Sequence, residues 1–420
     1  MKVLHISTYK TGGAGIAAFR LHKGLQALGV ESEFLYLNSE AGEIMRKAAP
    51  APPPPLPLYR RVWSKYLNKV LRPSNQSKES SKKEEVIDGN FEAFTSPVSI
   101  YDITLHPAYQ SADIVNLHWV SDFLDYPTFF ERNNKPLIWT LHDMNPFQGG
   151  FHYQGDALSN SHLADMDLKY LEIKQAALSS AKNIHIVALS KWILEISSKS
   201  TVFRSFSHSL IPNGIDPYLF KPLDKAFSRQ VLGLPKDKKI VLFISEKLSV
   251  YRKGFDLLLK MVDSFKGHKN LVFCAVGTYN SEQQNNVVYL NAIQDERLIP
   301  IVYSACDVFV VPSREDNLPN VMLEALACGT PVVATPVGGI PDAIIQDYNG
   351  ILAKDTSPES LSEALQLFFD RQGSWSEEKI REDFLSKYAA DKQALAYLDL
   401  YQESLTSAKD LPAKHKSALV

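Results

Sequence analysis

The 420-residue sequence predicts an α/β protein with two doubly wound parallel sheets that face each other across a cleft. Strand-like apolar runs alternate with helical stretches along most of the chain. The alternation starts afresh after "IPNGIDPYLFKP" (211–222), which is rich in turn-forming residues. The length also exceeds what one ordinary hydrophobic core holds. We therefore predict an N-terminal domain over 1–214 and a C-terminal domain over 215–385.

The N-terminal series of elements begins with a buried strand, "KVLHIS" (2–7). The glycine-containing segment "TYKTGGAG" (8–15) is predicted to be a loop, and a helix with apolar residues at helical spacing then starts at Ile16. Further strands are predicted at 31–38, 112–118, 135–143, 184–190 and 208–214.

The C-terminal series repeats this pattern. Its predicted strands are 239–245, 270–277, 287–293, 302–313 and 330–339. The carboxyl ends of both sets of strands are expected to open into the cleft, where doubly wound folds bind their ligands. A strongly helical stretch (386–405) and a loose tail (406–420) complete the chain.

Composition narrows the class of protein. A hydrophobic fraction of 45%, a charged fraction of 22% and a net charge of −2 describe a soluble globular protein and point to neither nucleic acid nor an acidic substrate. The three cysteines lie in apolar contexts without paired spacing, which favours reduced thiols and a cytoplasmic location. Because "MKVLHIS" is itself a strand, we expect no signal peptide, and no apolar run is long enough to span a bilayer.

An insertion over 48–95 interrupts the N-terminal domain. It contains a proline-rich stretch (48–57) and a polar, charged stretch (74–85). Between them, "LYRRVWSKYLNKVLR" (58–72) has an apolar, aromatic stripe at helical spacing and five basic residues without an acid. Such a helix suits the anionic inner surface of a membrane, as a peripheral anchor. It equally suits a helix that packs its stripe on the domain, and the sequence leaves both interpretations open.

The segment "EDNLPNVMLEALACGTPVVAT" (315–335) carries the most specific chemistry. Asp316 and Glu324 lie eight residues apart, on either side of a predicted helix start. Pro319 suits the first turn of that helix, and Gly329 suits the left-handed position after its end. With a helix starting near Leu318, the free backbone N–H groups of 318–321 would form an anion site, and phosphate is the usual occupant.

Carboxylates repel phosphate but accept hydrogen bonds from hydroxyl pairs. A nucleotide sugar resolves this conflict, because its diphosphate lies between a ribose and the sugar to be transferred. We therefore expect Glu324 to bind the ribose hydroxyls and Asp316 the sugar hydroxyls. The donor-binding set at this helix start comprises Asn317, Leu318, Pro319, Asn320, Val321 and Glu324. The alternative is that the two acids merely complement the helix dipole and face water.

Two cations are predicted to serve the same diphosphate. Arg252 and Lys253 follow the first strand of the C-terminal domain and precede Gly254, a position that suits phosphate binding. A preorganised cation stabilises the charge that builds up on a departing phosphate. The glycines Gly12, Gly13 and Gly15 lack the dinucleotide-binding order but would let backbone approach a ligand.

With these motifs the chain resembles the retaining glycosyltransferases of GT-B architecture, family 4, of the bacterial polysaccharide-biosynthesis type. The signature is the pair of acids followed by "EALACGTPVV" (324–333), with Asp316 where that family usually has Glu. The resemblance covers everything except 48–95 and the last twenty residues. Its other segments are "TGGAGIAAFRLHKGL", "DIVNLHW", "TLHDMNPFQGGFHY", "ALSKW", "IPNGID" and "RKGFDLLL".

The resemblance implies two facing Rossmann-like domains and a C-terminal helix (386–405) that crosses back to the N-terminal domain. It places Lys253 on the diphosphate, His118 beside the donor sugar and Gly13 on the phosphate, and it makes Asp316, Lys253 and His118 the catalytic set. The acceptor side comprises Gly12, Gly15 and Asp143. Gly277, Ile293 and Leu298 are expected along the nucleobase pocket, and the sequence does not distinguish uridine from guanosine as its occupant.

No metal or other cofactor is expected. The motif "DMD" (165–167) imitates a manganese-binding pair, but it opens an amphipathic helix, where acids suit the dipole. A zinc site at His142 and His152 lacks a second short-spaced pair.

The sequence thus predicts a hexosyltransferase of the EC 2.4 class that moves a sugar from a nucleotide to a hydroxyl of a glycan or lipid-linked glycan. Two alternatives remain open. One is a nucleotide-sugar epimerase of the same shape, and the other is a catalytically impaired relative that serves as a binding scaffold, to which Asp316 in place of Glu gives some weight.

Overall fold

The computed structural model describes residues 1–46, 91–279, 287–371, 373 and 375–409. The proline-rich stretch 48–57, the basic amphipathic segment 58–72 and the polar stretch 74–85 lie outside the described residues, as does most of the tail predicted at 406–420.

Within the described residues, the N-terminal sheet has six parallel strands in the order β2-β1-β3-β4-β5-β6. They are β1 Lys2–Ser7, β2 Glu31–Tyr36, β3 Ile114–Leu117, β4 Leu137–Leu141, β5 Ile184–Ala188 and β6 Ser207–Leu210. Its helices are α1 Gly12–Ala27, α2 Ser39–Met45, α3 Pro107–Ser111, α4 Tyr126–Arg132, α5 Gln154–Ser159, α6 Ala164–Leu178 and α7 Lys191–Lys199.

The described part of the C-terminal sheet also has six parallel strands, in the order β12-β11-β10-β7-β8-β9. They are β7 Lys239–Lys247, β8 Leu271–Thr278, β9 Val287–Leu290, β10 Val308–Val311, β11 Val332–Ala334 and β12 Gly350–Leu352. The remaining helices are α8 Lys225–Val231, α9 Phe255–Ser264, α10 Ile299–Ala305, α11 Asn320–Ala327, α12 Ile340–Ala343, α13 Pro358–Asp370, α14 Glu377–Lys387 and α15 Ala390–Lys409.

This architecture confirms the predicted class of two doubly wound domains, with three local differences. The segment 302–313 is not one strand, because its first residues complete α10 before β10 begins at Val308. β12 was not anticipated. The glycines at 12–15 form the first turn of α1 rather than a loop, and Gly12 supports this start with a φ of +71°.

Each sheet has a switch point where the strand order reverses, and such points mark ligand crevices. In the N-terminal sheet the switch lies between β1 and β3, and in the C-terminal sheet it lies between β7 and β10. The segments that follow these four strands contain Gly13, His118, Lys253 and Asp316 in turn. The topology therefore explains how residues so far apart in sequence reach one cleft.

The last helix, α15, packs on the N-terminal domain. The hydroxyl groups of its buried Tyr397 and Tyr401 hydrogen-bond Thr140 Oγ1 at 2.8 Å and Asn116 Oδ1 at 2.6 Å, both on the N-terminal sheet. Since α14, which precedes it, contacts α11 of the C-terminal domain, the chain end couples the two domains.

Cys274, Cys306 and Cys328 are buried free thiols. Among the described helices, none combines the length and apolar character needed to cross a bilayer.

Candidate functional site

The predicted anion site is the N-terminus of α11. The helix begins at Asn320, two residues later than expected, because Pro319 has extended backbone (ψ of 122°) and acts as the N-cap residue rather than as part of the first turn. The first intrahelical hydrogen bond runs from the Met322 N–H to the Pro319 carbonyl, at 3.1 Å. The amides of Asn320 and Val321 precede it and are the ones directed beyond the helix end. Leu318 is buried in the domain core, so its side chain serves packing.

This helix end faces the N-terminal domain. Asn320 Nδ2 donates to the Gly13 carbonyl at 2.9 Å, and Asn320 Oδ1 accepts from Asn213 Nδ2 at 2.9 Å. A Cβ atom at Gly12 or Gly13 would meet nothing within 4 Å, which leaves open space beside the helix end. A Cβ at Gly15 would lie 2.5 Å from the Tyr9 carbonyl, so this glycine allows α1 to approach the preceding backbone.

Asp316 and Lys253 form an ion pair at the same place. Lys253 Nζ lies 2.7 Å from Asp316 Oδ2, and the Ser313 hydroxyl donates to the same oxygen at 3.1 Å. Burial alone would raise the pKa of Asp316, but Lys253 and Arg252 hold it below its usual value. The Lys253 side chain keeps 27% of its surface exposed, so its ammonium group is accessible to an anion.

Arg252, which was predicted to serve the diphosphate, has several protein partners in this structure. Its buried guanidinium makes two hydrogen bonds to the Glu92 carboxylate, at 2.6 and 3.0 Å, and one to the Glu315 carbonyl at 2.9 Å. It also stacks 3.9 Å above the centre of the Tyr153 ring and lies 3.3 Å from Asp316 Oδ1. The guanidinium therefore has partners in both domains. These partners offset the cost of burying its charge.

Glu324 lies on the second turn of α11 and is 7% exposed. Its Oε2 accepts from the Tyr303 hydroxyl at 3.0 Å, and its Oε1 accepts from Arg20 Nη2 at 2.7 Å. Arg20 belongs to α1 of the other domain. The predicted ribose-binding acid is therefore held from both sides of the cleft.

Asn317, a member of the predicted donor-binding set, joins the two domains through its side chain. Its Nδ2 donates to the carbonyls of Leu141 and His142 at 3.0 and 3.2 Å, and its Oδ1 accepts from the Ser190 hydroxyl at 2.7 Å. Both polar atoms of the side chain are satisfied by the N-terminal domain.

Two glycines support the 316–317 backbone. Gly338 has a φ of +56°, and a Cβ there would lie 1.6 Å from the Asp316 carbonyl oxygen. The Gly339 N–H donates to the Asn317 carbonyl at 2.7 Å. Close backbone approach, which only glycine permits, therefore fixes the loop that carries Asp316.

His118 follows β3 as expected, but it is buried in a chain of imidazoles. Its Nε2 lies 2.9 Å from His5 Nδ1, and its Nδ1 lies 3.1 Å from His142 Nε2. Burial lowers the pKa of all three rings, to about 3 for His5 and about 4 for His142. Half-buried His142 is the most exposed ring of the three, and contact between His118 and a donor sugar stays a prediction.

Asp143, predicted on the acceptor side, is buried in a hydrogen-bond network. Its Oδ2 lies 2.6 Å from His152 Nδ1 and accepts from Trp119 Nε1 at 2.7 Å, while its Oδ1 accepts from the Asn145 N–H at 3.0 Å. Although burial raises the pKa of Asp143, His152 and the hydrogen bonds bring it below its usual value. The residue braces the 143–152 loop beside the cleft.

Sequence analysis missed the buried Lys174 beneath this loop. Its ammonium group donates to the carbonyls of Asn145 and Gly149 and to Asn145 Oδ1, and burial lowers its pKa to about 7. Asp167, from the "DMD" motif, accepts from the N–H groups of Gly150 and Phe151 at 2.7 and 3.3 Å. Both side chains hold the loop in place.

The residues predicted along the nucleobase pocket differ from one another in burial and in structural role. Gly277 has a φ of +147°, and a Cβ there would lie 1.9 Å from the Ser245 carbonyl, so the packing of β7 on β8 already requires glycine. Ile293 is half-buried against the domain core, and Leu298 is 48% exposed. Val321, which belongs to the predicted phosphate-binding helix start and not to this pocket, is half-buried at the start of α11.

Within the part of the chain that the structure describes, no group of three or more His, Cys, Asp or Glu side chains is arranged to hold a metal ion. The cleft combines the helix-end amides of Asn320 and Val321 with the ammonium group of Lys253. It also contains the Glu324 carboxylate, which can accept further hydrogen bonds. This set suits a ligand with a central phosphate and hydroxyl pairs.

Known glycosyltransferases resemble parts of this chain in sequence. The family model of the glycosyl transferases group 1 matches residues 224–389, which include Lys253, Asp316 and Glu324. The chain is 27% identical over 303 residues to the D-inositol 3-phosphate glycosyltransferase of Segniliparus rotundus. That alignment covers 67% of this chain and 63% of the relative, so the chain matches about three fifths of the relative's length.

Solved structures share the fold over nearly the whole chain. Sucrose-phosphate synthase from Thermosynechococcus elongatus aligns with a TM-score of 0.68 at 20% identity, covering 97% of this chain and 99% of that one. Anabaena HepE in complex with UDP-glucose aligns with a TM-score of 0.62 at 16% identity, covering 96% and 100%. The chain thus shares the two-domain GT-B fold of these structures, and its residues 224–389 match the family model of the glycosyl transferases group 1.

Proposed function

We propose that this protein is a retaining glycosyltransferase that moves a sugar from a nucleotide diphosphate to a hydroxyl group of a glycan. The observation that carries the proposal is the convergence of the α11 N-terminus, Lys253 and Glu324 in one cleft between the domains. The match to group 1 glycosyl transferases supports it.

In the proposed donor complex, the amides of Asn320 and Val321 and the ammonium group of Lys253 bind the diphosphate. Glu324 accepts hydrogen bonds from the ribose hydroxyls. Asp316 orients Lys253, and its remaining acceptor capacity serves a hydroxyl of the transferred sugar. Asp316, whose side chain is shorter than that of the Glu usual at this position, therefore acts on Lys253 as well as on the sugar.

The proposed reaction retains anomeric configuration and needs no metal. The bond between the anomeric carbon and the diphosphate oxygen breaks, and a bond to the acceptor oxygen forms on the same face. The acceptor's proton passes to the departing phosphate. The cation and the helix end stabilise the negative charge that develops on that phosphate, as preorganised donors do in acyl transfer.

A lipid-linked glycan is the acceptor class we favour, because the basic amphipathic segment 58–72 suits an anionic membrane surface. Deletion of 48–85 should then reduce transfer to a vesicle-bound lipid-linked acceptor by about tenfold or more while leaving transfer to a soluble glycan unchanged. Equal loss with both acceptors, or no loss with either, would refute membrane docking by this segment.

A screen of nucleotide sugars for thermal stabilisation tests the proposal. A ligand present at about 100 times its dissociation constant adds about 2.7 kcal/mol to stability, so the true donor should raise the melting temperature clearly. Incubation with the acceptor and EDTA should yield a glycoside that keeps the donor's anomeric configuration. Neither stabilisation nor turnover by any donor would favour a binding scaffold, and an altered free nucleotide sugar would favour an epimerase.

A further inference from the structure

We infer that Arg20, a residue of the N-terminal domain, positions the Glu324 carboxylate for the ribose diol across the cleft. The inference rests on the proposed function and adds a positioning residue to it. No sequence motif assigns Arg20 a role; it lies eight residues after the start of α1, a helix that also carries His22, Lys23 and Gln26.

Among the described residues, the hydrogen-bond and ion-pair partners of the Arg20 side chain lie in the other domain. Its Nη2 donates to Glu324 Oε1 at 2.7 Å, and its Nε donates to Glu296 Oε1 at 3.0 Å. The guanidinium also lies 5.1 Å from the centre of the Phe220 ring. Only 11% of the Arg20 side chain is exposed, so the group is committed to this interface.

The hydrogen bonds to Glu324 leave room for a ligand. An ionised carboxylate has about four lone-pair sites. Arg20 occupies one on Oε1 and the Tyr303 hydroxyl occupies one on Oε2, so with respect to the described side chains each oxygen retains one site. Two vacant sites on a carboxylate fixed at both oxygens match the two adjacent hydroxyls of a ribose.

Arg20 also compensates the repulsion between the carboxylates of Glu324 and Glu296. Glu296 and Glu324 share the same guanidinium, and Glu296 is 45% exposed at its side chain. Burial alone would lower the pKa of Arg20, but these two carboxylates raise it. Without Arg20, two carboxylates would lie near each other without a counter-charge, and Glu324 would lose its fixed orientation.

This arrangement makes the ribose site dependent on contact between the domains. Glu324 belongs to α11, whose first residue, Asn320, binds the Gly13 carbonyl on α1. The same helix α1 therefore touches the predicted phosphate end and the predicted ribose end of the donor site. The C-terminal domain does not itself supply Arg20, the cation that orients Glu324.

Calorimetric binding of UDP and GDP to the full chain tests the inference. Arg20→Met should weaken whichever nucleotide binds the wild type by about tenfold or more, since charge-assisted hydrogen bonds are the strong ones. The same variant should bind the 2′,3′-dideoxy analogue as the wild type does, because that ligand has no diol for Glu324. Lys23→Met, an exposed position on the same helix, should leave both affinities unchanged.

A second variant separates positioning from a general interface defect. Arg20→Met combined with Glu296→Gln should recover part of the lost affinity, because it removes the uncompensated neighbouring charge. If Arg20→Met does not fold, Arg20→Lys, which keeps the charge with fewer donors, should show a smaller loss confined to the ribonucleotide. Equal losses for the ribonucleotide and the dideoxy analogue, or no loss, would overturn the inference. If the wild type bound no nucleoside diphosphate, the proposed function itself would fail.

Discussion

Lys253→Ala should lower the turnover number by about 10²–10³, the usual effect of removing one preorganised donor at a site of developing charge. Lys253 is the accessible cation beside the α11 N-terminus, and its partner Asp316 holds it there at 2.7 Å. Neighbouring Arg252 does not replace it, because Glu92 and Tyr153 already engage the guanidinium. Steady-state kinetics with the donor identified by the screen would measure the effect.

The control for this variant is Lys260→Ala, an exposed lysine on the following helix α9. It removes the same charge from the same domain without touching the cleft, so turnover should stay at the wild-type level. A Lys253→Ala enzyme that retained turnover within about tenfold of wild type would exclude the phosphate role.

Gly338→Ala should damage both stability and activity. The residue has a φ of +56°, and a Cβ would stand 1.6 Å from the Asp316 carbonyl oxygen, a backbone atom. The left-handed conformation costs a non-glycine residue about 1–2 kcal/mol. Displacement of packed backbone typically adds about 1–3 kcal/mol. Because the displaced atom belongs to Asp316, donor binding should weaken with the loss of stability.

Gly233→Ala provides the matched control in the same domain. Its φ of +66° carries the same conformational cost, but a Cβ there meets nothing within 4 Å. The melting temperature of Gly338→Ala should therefore fall by several degrees more than that of Gly233→Ala, and only Gly338→Ala should lose activity. Equal shifts in the two variants would show that the contact with Asp316 is not what constrains Gly338.

The fold could be predicted from sequence because its signals are local. Apolar runs such as 2–7 and 239–245 are strands as expected, and Gly329 ends α11 with a φ of +72°. The predicted start of α11 was two residues early, since proline suits both the first turn and the cap position. The segment 302–313 was misjudged because an apolar helix and an apolar strand follow each other there without a polar break.

The partners of the site residues could not be predicted, because they are contributed by distant parts of the chain. Arg252 is a predicted phosphate ligand beside Lys253, and its partner Glu92 lies 160 residues earlier. Arg20 and Glu324 are 304 residues apart. Local spacing identifies which residue types stand at strand and helix ends, whereas the choice of ion-pair partners is made by packing between domains.

The most direct test of the account is a crystal structure of the protein with the nucleoside diphosphate that stabilises it. We expect the diphosphate within hydrogen-bond distance of the Asn320 and Val321 amides and of Lys253 Nζ, with the ribose hydroxyls on Glu324. A diphosphate bound elsewhere, with this helix end left to solvent, would contradict the central claim.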